Sequence, residues 1–160
     1  MNDNASSLRG SALIRLVLLV LMVGVWCSAA APQGSNEIVW NKMFRLPDAR
    51  LFVTDGAITF DAQLAKPREL PATELPASTG QIMERYMAAE LPDEFALRDL
   101  ERGTRPETYE SPSGVTLAAK YVEFLRRVVP RASLRMKGDL EPVVILSDGK
   151  AVGLVMAMRK

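Results

Sequence analysis

Residues 142–160 read PVVILSDGKAVGLVMAMRK, two nearly unbroken apolar runs separated by Ser-Asp-Gly-Lys. A strand with one face in water alternates apolar and polar residues, whereas an unbroken run fits a strand covered on both faces. Asp148-Gly149 sits where a two-residue hairpin turn would join the runs. The pattern therefore predicts antiparallel strands over Pro142–Ser147 and Ala151–Met158, and something to cover each face of them.

Working backwards, Ser133–Lys137 predicts a third strand, and VTLAAKYVEFLRRVV predicts a helix from Val115 to Val129 that ends before Pro130. Leu117, Tyr121, Phe124, Leu125 and Val128 recur at helical spacing and should face the core. TRPETYESPSG (104–114) reads as a loop. Further upstream, Ser78 or Thr79 would cap a helix reaching Leu91, with Ile82, Met83, Tyr86 and Met87 as its apolar stripe. Pro92, Asp93 and Glu94 suit the first turn of a second helix stopped by Gly103. KPRELPATELPAS, within the stretch 66–79, carries three prolines and predicts an extended connector. RLFVTDGAITFDA predicts a hairpin in the 32–65 region, with strands Leu51–Thr54 and Ala57–Asp61 and a second Asp-Gly pair, Asp55-Gly56, at its turn. The order is hairpin, helices, three strands. It predicts an α+β domain with an antiparallel sheet packed against two or three helices, residues 80–160 completing the domain that the hairpin begins.

The chain has 160 residues, a net charge of +1 and 24% charged residues, the balance of an ordinary solvated surface. It contains no histidine, which removes the usual neutral-pH general base, the Ser-His and Cys-His pairs and the commonest metal ligand. The single cysteine, Cys27, makes neither an internal disulfide nor a multi-cysteine metal site. The paired carboxylates Asp93/Glu94 and Asp99/Glu101 suit helix capping and a solvated face better than acid–base work. No enzyme is predicted, no cofactor and no metal.

Residues 1–31 place Arg9 and Arg15 before an eleven-residue apolar core, Leu16 to Trp26, followed by small residues to Ala31. That is the pattern of a secretory signal peptide, with Ser28-x-Ala30 as a cleavage site. The core is short for a membrane span, which needs about 20 apolar residues, so no stable membrane association follows if the signal is cleaved. A competing interpretation takes Met43 in MFRLPDARLFVTDG as the true start and the preceding residues as upstream sequence. The two give different locations, exported or cytoplasmic.

The helix with YVEFL, the strands SLRMKGDLEP and VVIL, and the terminal GLVMAMRK together resemble the end of a bacterial sliding clamp, the β subunit of the replicative DNA polymerase. The hairpin ARLFVTDGAITFDAQ is similar to the recurring hairpin of that family, so the resemblance covers residues 49–63 and 115–160. Family members finish on a strand of the form V-M-P-M-R-L. Val155, Met156, Met158 and Arg159 fall on that motif, while Ala157 stands at its proline and Lys160 at its final leucine. The resemblance implies a non-catalytic DNA-replication accessory, cytoplasmic and starting at Met43, that forms an oligomer or docks on another clamp. It implies helices covering the inner face of the sheet, with Lys120, Arg126, Arg127 and Arg131 contacting the DNA backbone without reading sequence. It also implies that Leu154, Met156 and Met158 contact hydrophobic peptides from polymerases or repair factors, which flexible methionines suit. Without the resemblance, the chain reads as an exported α+β binding module, its basic helix face a solvated surface.

Overall fold

In the computed structural model, residues 37–75, 77–136 and 141–159 are described. They belong to one compact unit bounded by Asn36 and Lys160. The signal-like segment 1–31 and Lys137 lie outside the described residues. The described chain is α+β. Its strands are β1 (Lys42–Arg45), β2 (Leu51–Thr54), β3 (Ile58–Asp61), β4 (Ala72–Glu74), β5 (Asp93–Ala96), β6 (Glu101–Arg102), β7 (Thr108–Glu110), β8 (Thr116–Ala118), β9 (Ser133–Met136), β10 (Pro142–Ser147) and β11 (Lys150–Met156). Its helices are the single turn α1 (Ala62–Ala65), α2 (Ala77–Ala88) and α3 (Ala119–Val128), with a 3₁₀ turn at Leu97–Asp99. Eight strands form one sheet in the order β4-β1-β2-β3-β11-β10-β9-β5, and β6-β7-β8 form a second. Every pairing is antiparallel except β1 with β4.

The two apolar runs, β10 and β11, lie side by side near the middle of the large sheet, and each of its faces is covered by a different helix. Val143 and Ile145 point toward α3, among Tyr121, Val122, Phe124 and Leu125. Val144 and Leu146 point the other way, toward Met83 and Met87 of α2 and the aromatic pair Phe44 and Phe52. Period-two alternation on an entirely apolar run thus feeds two cores. Each fully buried side chain of this size contributes roughly 1.5–3 kcal/mol of transfer free energy.

One irregularity serves both cores. The register shifts between Ile145, opposite Gly153, and Leu146, opposite Ala151, leaving Val152 as an extra residue. This bulge lets Val152 join the α3 face while Ala151 stays on the α2 face. Gly153 is fixed by the same crowding, because a Cβ there would collide with the backbone carbonyl of Thr59 and sit 2.8 Å from a ring carbon of Phe60.

The middle of the chain departs from expectation. Residues 92–102 are not a second helix. Asp93–Ala96 pairs with β9, Leu97–Asp99 makes one 3₁₀ turn, and Glu101–Arg102 pairs with β7. Helix-dipole and propensity preferences are each worth about 1 kcal/mol or less. They lose here to the backbone partners offered by the open side of β9 and to the burial of Leu97 and Leu100, which are 0% and 3% exposed. Pro92 just precedes this edge strand, where it removes no ladder bond.

The predicted helix at 115–129 begins four residues late. Val115 and the strand Thr116–Ala118 are extended, and Leu117 is fully buried from there. The 104–114 loop contains β7, with Thr108 and Tyr109 buried. The proline-rich connector supplies β4, a short exposed edge strand between Pro71 and Pro76. Helix α2 starts at Ala77, so Ser78 and Thr79 lie inside it, and it ends at Ala88 rather than Leu91.

Candidate functional site

Helix α3 carries three of the four basic candidates, and its two ends differ. At its N-terminal end Asp55 is drawn inward from the β2–β3 loop, its side chain only 8% exposed. One carboxylate oxygen accepts the backbone N–H groups of Ala57 and Ile58 at 2.9 and 3.0 Å. The other accepts the Tyr121 hydroxyl at 2.8 Å and faces the Lys120 ammonium at 3.5 Å. Lys120 also lies 4.5 Å from the centre of the Tyr121 ring. A buried carboxylate is tolerated when hydrogen bonds and an opposite charge surround it, and all of these do. Burial first, then the charge of Asp55 and its hydrogen bond, push the Tyr121 phenol far above its ordinary value, so it stays a donor. The cluster pins the β2–β3 hairpin to α3, and Lys120 is committed to it.

At the C-terminal end the arginines differ among themselves. Arg126 donates to the carbonyl of Leu100 at 2.7 Å and lies 4.6 Å from the centre of the Tyr109 ring, over which Arg102 also sits at 5.6 Å. Arg127 and Arg131 are exposed and make no hydrogen bond or ion pair among the described residues. Arg98, on the 3₁₀ turn beside this end, is 86% exposed at its side chain and has only a 3.7 Å contact with the neighbouring Asp99. Arg98 and Arg102 are absent from the sequence candidates because the stretch that carries them reads locally as a separate helix. The pairing of β5 with β9 brings it here.

The three candidate peptide contacts stand at different depths. Leu154 is 8% exposed and belongs to the α2-facing core with Val144 and Leu146. Met156 is half-buried, and its N–H donates to the carbonyl of Ala57 at 2.8 Å. Met158 is 39% exposed, and its N–H donates to Thr116 at 2.8 Å, linking the end of the large sheet to β8. Arg105 donates to the carbonyl of Arg159 at 2.8 Å, holding the same tail. On α2, the Tyr86 hydroxyl lies 3.1 Å from a Glu141 carboxylate oxygen and 2.9 Å from the Pro142 carbonyl. Burial first, then the Glu141 charge, keep that phenol protonated.

Among the described residues no three His, Cys, Asp or Glu side chains are grouped to hold a metal ion, and no helix is long and apolar enough to cross a membrane. The charged side chains divide into those consumed by the fold, around Asp55, and those offered to solvent, Arg127 among them. No protein-family model, no curated protein and no solved structure matches the chain.

Proposed function

We propose that the protein is an exported α+β binding module that works without catalysis or a cofactor. The observation that carries export is the placement of the residues just before Met43. Ile38 is 7% exposed within the α3-facing core, and the Trp40 ring meets Phe124 edge-on at 5.5 Å. Asn41 already pairs with Thr54, and β1 begins at Lys42. A chain starting at Met43 would uncover Phe124 and open β1 in mid-strand. Folded sequence thus reaches upstream of Met43, which supports the reading in which the signal-like segment belongs to the same chain. The absence of histidine from the whole chain supports a binding role over acid–base chemistry.

The intact mass of the protein from separated cell fractions tests this. A mass beginning near Ala31, outside the cytoplasm, is expected. A cytoplasmic protein beginning at Met43 would overturn it.

The sliding-clamp-like reading keeps one favourable observation, the exposure of Arg127 and Arg131 on and just beyond α3, with Met156 and Met158 on the terminal strand for a partner peptide. Two features weigh against it. Helices α2 and α3 cover opposite faces of the sheet, where the resemblance implies one face, and Lys120 is engaged by Asp55.

A further inference from the structure

We propose that β4 and α2 form a hinged cover that opens from the large sheet as one unit while α3 and the remaining strands stay folded. Prolines bound this unit on both sides. Pro67 and Pro71 precede β4, Pro76 stands between it and α2, and Pro92 follows Leu91. A proline fixes its own φ and donates no backbone hydrogen bond, so neither the edge ladder nor the helix continues through these flanks. β4 itself is three exposed residues at the edge of the sheet. It is tied to β1 by parallel pairing from Met43 to Arg45 and by the Thr73 hydroxyl, which donates to the Met43 carbonyl at 3.1 Å.

The two helices are held differently. Among the described residues, the buried apolar side chains of α2 are Met83 and Met87, one turn apart, whereas α3 buries Tyr121, Val122, Phe124 and Leu125 on the opposite face. Methionine is flexible and fills space without fixing a shape. Three further contacts seat α2, and all of them are made at strand ends. A Cβ on Gly80 would stand 2.6 Å from Cδ of Pro47, so the helix lies directly on the turn between β1 and β2. The Asp48 N–H of that turn donates to the Glu84 carboxylate at 3.1 Å. At the other end of the helix, the Tyr86 hydroxyl reaches Glu141 and the Pro142 carbonyl at the start of β10. These two polar contacts are the latches of the cover.

Lifting this unit breaks no pairing of the large sheet except that of β4 with β1. It uncovers Phe44, Phe52, Val144, Leu146 and Leu154 on one face and frees the outer edge of β1. The α3-facing core, with Ile58, Phe60, Val143, Ile145 and Val155, keeps its partners. The open state is a minor one, because the uncovered face is apolar. It still lies below global unfolding, since a segment held by few buried apolar groups opens at lower free energy than the core beneath it.

The test is native-state hydrogen exchange, read by mass spectrometry on the protein as recovered from cells, in urea concentrations below its unfolding transition. Amides of 77–88 should exchange at least about tenfold faster than those of 119–128 and 143–147. Their exchange should also depend less steeply on urea, because a partial opening exposes less surface. Two variants separate the cover from the rest. Tyr86→Phe removes a hydrogen bond to a charged group that is made only when the cover is closed. It should speed exchange of 77–88 by roughly tenfold or more. Tyr121→Phe weakens the part that stays folded, so it should speed exchange of 119–128 and leave 77–88 unchanged. Exchange of 77–88 at the rate and urea slope of the other two segments would overturn the proposal. So would unaltered exchange of 77–88 in Tyr86→Phe, or acceleration of 77–88 and 119–128 to the same degree by Tyr121→Phe, since either means that α2 opens only with the whole molecule.

Discussion

The chain uses the pair Asp-Gly twice, and the two copies come to different ends. Asp148 and Gly149 both take positive φ, 50° and 75°, and close a two-residue loop between the paired Ser147 and Lys150. That is the geometry a twisted two-residue hairpin asks of its turn, and local sequence suffices for it. At Asp55-Gly56 only the glycine has positive φ, 102°, and the strand pairs resume no closer than Thr54 with Thr59. Asp55 does not occupy the left-handed position its sequence suggests. Its side chain folds over the loop, caps Ala57 and Ile58, and meets Tyr121 and Lys120 of a helix more than sixty residues away in sequence. The same two residues are a local turn in one place and a tertiary anchor in the other. The difference is made by what stands opposite.

Asp55→Ala attacks the anchored copy and should have the largest effect. It removes two caps and leaves the Tyr121 hydroxyl buried beside an unpaired Lys120. The lost caps and the charge-assisted bond from Tyr121 together cost about 3 kcal/mol, while Lys120, 45% exposed, can turn to water. Asp148→Ala removes no such partner and only forces alanine to positive φ, at about 1–2 kcal/mol. Urea denaturation should rank the two in that order. Equal costs would mean that Asp55 is merely another turn residue.

The legible part of the fold was the part in which local preference and tertiary packing agree. Pro142–Ser147 is a strand from its first predicted residue to its last, because an apolar, β-branched run needs no more than two covered faces. Tyr121, Phe124 and Leu125 face the core as their spacing predicts. The stretch 92–102 failed because its cues, a proline and two carboxylates, are weak and serve a strand edge equally well. Nothing local records that β9, paired on one side with β10, takes this stretch as its second neighbour. The candidate site divided on the same line. That Arg127 is exposed follows from its position off the apolar stripe, and that Arg131 is exposed from its place beyond the end of the helix. That Lys120 is captured depends on contacts between distant segments. Leu154 shows the complementary limit: on a strand buried on both faces, alternation separates the faces without telling which one is open.

A milder change at the anchored turn is Tyr121→Phe, which keeps the ring and deletes one donor to a nearly buried carboxylate. Such a bond is worth about 1.5–3 kcal/mol, and urea titration at neutral pH should show a loss in that range. The pH dependence adds a second signature. The folded-state pKa of Tyr121 is raised above its unfolded value near 10. Below that value both states hold the proton and the contribution is complete. Above it the unfolded chain releases the proton and the folded one does not, so stability falls as pH rises. The Phe variant should lose part of this alkaline fall and keep the part due to Tyr86, whose phenol is raised in the same direction. A variant with the parent's full alkaline slope would detach Tyr121 from Asp55.

The smallest effects belong to the local turn. Gly149 has φ of 75° and open space where a Cβ would go, so Gly149→Ala is penalised by backbone conformation alone. That penalty is about 1 kcal/mol, the ordinary cost of a left-handed alanine. Asp148→Asn should change stability by less than about 0.5 kcal/mol, because asparagine tolerates the left-handed region and no other group depends on the Asp148 charge among the described residues. The matching change at the other copy, Asp55→Asn, keeps the shape but removes the charge that faces Lys120 and one lone-pair site of the carboxylate. If the two asparagine variants melt together, the contrast between a locally fixed and a tertiary-fixed Asp-Gly pair collapses. If only the Asp55 variant falls, the charge of Asp55, and not its capacity to turn the chain, is what the fold uses.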